Sequence, residues 1–70
     1  MSIATFHMPE ISKTSEENIT RLLAEKPGVR DVEASSQTKR VRLIYDERQT
    51  RLDDLKAALT SAGYQVVAVY

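Results

Sequence analysis

A chain of 70 residues, 41% of them hydrophobic, supports one small core near the lower limit of what folds without covalent staples. It has no cysteine and one histidine, which excludes a disulfide framework, a thiolate metal centre and a redox pair. Ten lysine plus arginine residues balance ten aspartate plus glutamate residues, so the basic footprint of a nucleic-acid binder is missing.

The first residues, SIATFHM (2–8), alternate, with Ala4, Phe6 and Met8 on one side and Ile3, Thr5 and His7 on the other. That is the period of a strand, and Pro9 ends it by removing a backbone donor. TSEENITRLLAEK follows. Thr14 with Glu17 three residues on fits a capping box, and Ile19, Leu22, Leu23 and Lys26 form a helical stripe. Pro27-Gly28 stops that helix.

VRDVEAS (29–35) reads as a second strand with an irregular start, because Val29, Val32 and Ala34 do not keep one parity. SQTK is a polar hairpin loop, and RVRLIY (40–45) alternates cleanly with Val41, Leu43 and Tyr45 inward. In TRLDDLKAALTSA, Thr50 is the expected N-cap, with Asp53 near the capping-box position. Leu52, Leu55, Ala58, Leu59 and Ala62 form the apolar face, and Gly63 suits the position after the helix. YQVVAVY closes the chain as an apolar, β-branched strand.

The order β-α-β-β-α-β predicts a ferredoxin-like α+β sandwich over residues 1–70, a four-stranded antiparallel sheet with both helices on one face. No run approaches the roughly 20 apolar residues of a membrane span, and the N-terminus lacks the pattern of a signal peptide. The expectation is a soluble, cytoplasmic domain without membrane insertion.

Candidate chemistry is sparse. His7 is a lone histidine on the outward parity, without a nucleophile beside it. Met8 has core parity, and one thioether does not make a copper site. A weak unconventional metal site through His7, Met8 and Glu10 is an alternative. Ser12, Thr14 and Ser15 lie where a helix begins, where capping is the ordinary role, and the loop has no glycine to let a phosphate approach its backbone. Arg40 and Arg42, with Lys39, form a small basic patch beside Asp31 and Glu33, for which cross-strand charge pairing is the ordinary account. The outward positions Arg40, Arg42 and Ile44 lack the aromatic residues on which RNA bases stack. No catalytic pair or cofactor loop is present, so an enzyme is not expected.

TFHMP, ITRLLAEKPGVRDVEAS, VRLIYD and LDDLKAALTSAGYQVV together span nearly the whole chain. They resemble the heavy-metal-associated domains of copper chaperones, the mercuric-ion-binding periplasmic protein and metal-transporting P-type ATPases. Members carry G-M-x-C-x-x-C in the first loop, whose thiolates clamp Cu(I), Hg(II) or Zn(II). Counting back from Gly28 puts Ser12 and Ser15 on the two cysteine positions, whereas counting forward from Phe6 and Met8 puts Ile11 on the methionine and Lys13 on the first cysteine. In either register no thiolate is present, and neutral hydroxyls do not replace them for a soft ion. The family's metal ligands therefore carry over onto no residue of this chain, and no cofactor is expected. Tyr64 matches the Gly-Tyr that lies near the metal loop in similar bacterial proteins.

The resemblance implies a non-enzymatic role in metal transport or homeostasis, exercised by protein docking. Members recognise partners, among them transporter ATPase domains, through the first loop, the start of helix one and helix two. Met8, Lys13, Glu16, Glu17 and Tyr64 are the expected face, with Arg21 and Lys56 adding charge. A module for interaction or self-association unrelated to metal is the alternative, because Val66, Val67, Ala68 and Val69 put apolar side chains on both sides of the last strand.

Overall fold

The alternation in the first residues becomes a central strand, β1 (Ser2–His7), whose Ala4 and Phe6 are buried. In the computed structural model, which describes residues 1–70, it is followed by α1 (Lys13–Ala24), β2 (Val29–Ser35), β3 (Arg40–Tyr45), α2 (Leu52–Ser61) and β4 (Ala68–Val69). The four strands form one antiparallel sheet in the order β2-β3-β1-β4. Ile19 and Leu23 of α1 and Leu55 and Leu59 of α2 share one core with Ala4, Phe6, Val41 and Leu43, so both helices cover the same face. The expected ferredoxin-like α+β fold is present, including the irregular start of β2, a register shift between Val29 and Asp31.

Helix starts differ from the sequence reading. The N-cap of α1 is Ser12, not Thr14: Ser12 is extended and its Oγ accepts the Ser15 N–H at 3.2 Å. Burial of Ile11 fixes where the chain turns into the helix, and the residue after it becomes the cap. Lys26 lies past the end of α1. Thr50 does not cap α2 either. Its N–H bonds to the Asp46 carbonyl at 3.1 Å, closing a turn whose two ends are buried and whose middle is exposed, and Arg51, with no side-chain cap bond, precedes the first helical residue.

The ends of the helices follow expectation. Gly63 (φ +93°) bonds to Thr60 O at 3.0 Å and the Tyr64 N–H to Leu59 O at 2.9 Å, the paired bonds of a Schellman stop. Ala62, read as part of the apolar face, is the exposed C-cap instead. Gly28 (φ +87°) has no room for a side chain, since a Cβ there would lie 2.7 Å from Gln49 Cβ.

The last strand is shorter than YQVVAVY suggests. Phe6 faces Val69 and His7 faces Ala68, which leaves Val66 opposite Pro9. Proline offers no N–H and β1 has already ended, so the ladder stops at the Val67 N–H, which bonds to His7 O at 3.0 Å, and Tyr64–Val66 lies beyond it. Tyr64 and Val66 pack against the core instead.

Candidate functional site

The loop between β1 and α1 hangs on two buried apolar anchors, Met8 and Ile11, exposed by only 2% and 3%. Between them the Ile11 N–H closes a turn onto Met8 O at 3.1 Å, leaving Pro9 and Glu10 exposed. Ser12 then starts α1, and its Oγ lies 2.9 Å from that of Ser15. The two hydroxyls thus hold each other and the first turn of the helix.

A residue from another element completes the loop. Lys39, at the end of the β2–β3 hairpin, takes the left-handed conformation (φ +60°), unusual for a side chain of its size. Its carbonyl accepts the Met8 N–H at 2.9 Å, and its ammonium donates to the Ile11 carbonyl at 3.3 Å. The sequence reading put Lys39 in a basic patch on the sheet. The structure gives it to the loop, because its backbone turns toward Met8 and carries the side chain along.

Met8, Glu10, Ile11, Ser15 and Tyr64 line a small cleft of about 230 Å³ at this end of the molecule. Lys13, Glu16, Glu17, Thr20 and Arg21 line a separate groove along α1 against Ala34 of β2. The expected docking residues therefore divide between two adjoining surfaces, with Lys56 on neither. Glu16 accepts hydrogen bonds from Ser36, whose hydroxyl and N–H, in that order, hold its carboxyl below the ordinary value, with Lys13 adding a smaller pull.

The loop end is a poor match for a soft cation. Its donors are two neutral hydroxyls and the Glu10 carboxylate, Met8 is buried, and the Lys39 ammonium already puts positive charge on the loop. His7 does not join them. It lies opposite Arg40 across β1–β3, on the face of the sheet away from the helices, whereas Met8 lies in the core beneath them. The alternative set His7, Met8 and Glu10 is thus split across the sheet, and no three His, Cys, Asp or Glu side chains converge anywhere.

Neither Lys39 nor the Glu16–Ser36 tie was legible beforehand. The only signal was a polar hairpin loop whose last residue is long and charged, which fits many hairpins that touch nothing.

The model of the heavy-metal-associated domain matches residues 5–65. Among solved structures, apo-CopP from Helicobacter pylori is 31% identical, with a TM-score of 0.83 over 94% of this chain and 100% of that one. The CopZ metallochaperone is 21% identical, with a TM-score of 0.88 over 94% and 100% of the two chains. Oxidized MerP from Ralstonia metallidurans CH34 is 19% identical, with a TM-score of 0.86 over 94% and 93%. No curated protein sequence matches the chain. No helix is long and apolar enough to cross a membrane.

Proposed function

The chain belongs to the heavy-metal-associated domain family, and from that premise we propose that it serves metal homeostasis by docking on a protein partner, without the family's thiolate site. The observation that carries this reading is the loop itself, which is tied by Ser12, Ser15 and Lys39 in an arrangement that needs no ion. Where relatives place two thiolates, this chain offers hydroxyls in one register, and Lys13 at the first position in the other. An ordered loop presents a fixed surface to a partner at little entropic cost.

The docking face comprises Lys13, Glu16, Glu17 and Tyr64, around the loop end and the first turns of α1, with Met8, expected on this face from the sequence, buried beneath it as the loop's anchor. It carries one positive and two negative charges, which suits a partner of complementary pattern, such as a domain of a metal-transporting ATPase. Titration with Cu(I) and Zn(II), followed by amide NMR, tests the metal half. The expected result is no stoichiometric complex at this loop. A tight one-to-one complex that shifts Ser12, Ser15 and Tyr64 overturns the reading.

A second reading, self-association, is favoured by one observation. The exposed large hydrophobic residues, Met1, Ile3, Val67, Val69 and Tyr70, all lie on or beside the neighbouring strands β1 and β4. Sedimentation over a hundredfold range of concentration decides it, since a mass that stays monomeric throughout removes this reading.

A further inference from the structure

The face of the sheet away from the helices has a polar groove that the docking reading does not use. Register alone assembles it. Arg42 of β3 faces Thr5 on β1 and Glu33 on β2, while the neighbouring outward position, Arg40, faces His7 and Ser35. Thr5, Glu33, Ser35, Thr38, Arg40 and Arg42 line a depression of about 350 Å³. That is at the small end of the roughly 300–1,000 Å³ of small-molecule sites.

Two features separate this cluster from an ordinary solvated charge patch. The first is that neither guanidinium is engaged in an ion pair. The cross-strand pairing expected from the sequence does not form, for although Glu33 and Arg42 are register partners, the molecule's two ion pairs are Met1–Glu47 and Arg48–Asp46. The second is that Arg40 has an aromatic neighbour, its guanidinium lying 6.0 Å from the centre of the Tyr70 ring, at the outer limit of a cation–π contact. The hydroxyls of Thr5, Ser35 and Thr38 add donors along the same depression. Ser35 Oγ accepts the Thr38 N–H at 3.4 Å, so its own proton is free to point into the groove.

Two forked guanidinium groups on one strand, roughly 7 Å apart along the backbone, with three hydroxyls beside them, match a group that offers several acceptor oxygens in three dimensions. We propose that this groove binds a small phosphate monoester, its phosphate gripped by Arg40 and Arg42. Thr5, Ser35 and Thr38 donate to the remaining oxygens. Glu33 is the one carboxylate in the wall. It opposes a dianion and accepts a hydrogen bond from a hydroxyl of the ligand, which selects for a hydroxylated phosphate ester over bare phosphate.

Amide NMR at constant ionic strength provides the test, with methyl phosphate, glycerol phosphate and acetate as probes. Glycerol phosphate should give saturable shifts at Thr5, Ser35, Thr38, Arg40 and Arg42, with methyl phosphate weaker and acetate at least tenfold weaker. Arg42→Gln, a substitution at an exposed side chain, should weaken glycerol phosphate at least tenfold while leaving the dispersed spectrum intact. Glu33→Gln should bring methyl phosphate and glycerol phosphate to within twofold of each other. Shifts that stay linear, that centre on Lys13 or Lys39, or that survive Arg42→Gln unchanged overturn the site. Equal binding of acetate overturns its assignment to phosphate. Thr5 and Arg42 face away from the helices and make no contact with the loop, so shifts at these two residues are read independently of the metal titration.

Discussion

At the scale of single residues, three hydroxyls compete to start α1, and the structure assigns them different work. Ser12 Oγ accepts the Ser15 N–H, Ser15 Oγ meets Ser12 Oγ at 2.9 Å, and Thr14 is exposed with its hydroxyl toward no protein partner. An N-cap truncated to alanine costs about 1 kcal/mol, because an orphan backbone donor loses its acceptor. Ser12→Ala should therefore lower the melting temperature by about 4–8 °C, the usual conversion for a domain of this size. Thr14→Ala should leave it nearly unchanged, and paired thermal melts of the two variants check the assignment. An equal loss in both would return the cap to Thr14.

At the scale of elements, burial follows period wherever an element packs against the shared core, which is why so much of the fold was legible. The parities of β1 and β3 and the stripes of both helices are set by side chains two or three to four positions apart, and hydrophobicity alone reveals them. What could not be read depended on a distant partner. β4 is short because Pro9 withdraws the strand it would pair with, and Lys39 meets Ile11 across 28 positions of sequence. The turn from Asp46 to Thr50 belongs to the same class. Asp46 is buried, exposed by only 5%, and its carboxylate accepts the Arg48 N–H at 3.0 Å and Arg48 Nε–H at 3.3 Å. The backbone bond, then the side-chain bond, hold its carboxyl below the ordinary value of 3.8. A carboxyl with a lowered folded-state pKa contributes stability that is fully present above its unfolded-state value. That contribution is lost as pH falls through the lower folded-state value. Glu16 and Glu47 are lowered too, by hydrogen bonds that likewise favour the charged form, and so act in the same direction. Stability should thus decline on acidification from about pH 5 downward. Asp46→Asn should flatten part of that decline, seen as a smaller loss of denaturation midpoint between about pH 6 and about pH 2. An identical acid limb in the variant would show that the turn does not carry it.

At the scale of the whole molecule, a frame shared with metal-carrying relatives raises the question of whether the frame still accepts a metal once thiolates are supplied. The geometry gives a directional answer. Ser12 and Ser15 sit at the cap and in the first turn, with their oxygen atoms already facing one another. Lys13 lines the groove along α1, and Glu16 turns to Ser36 on the hairpin. Two sulfurs at 12 and 15 would converge beside Tyr64 at the exposed start of a helix, where the dipole favours thiolate over thiol. Sulfurs at 13 and 16 would look out along the helix, and their introduction would break the Glu16 tie. The double substitution Ser12→Cys/Ser15→Cys should accordingly bind Cu(I) one-to-one under reducing conditions, with a melting temperature that rises with added metal, since a ligand that binds only the folded state stabilises it by mass action. The pair Lys13→Cys/Glu16→Cys should bind at least tenfold more weakly and melt lower without metal. Competition against a chromophoric Cu(I) chelator ranks the two. If the second pair binds more tightly, the register that counts from Phe6 is the correct one and the convergence of Ser12 and Ser15 is only a helix cap. If the first pair wins, the chain retains the metal-binding geometry of its relatives and lacks only the sulfur.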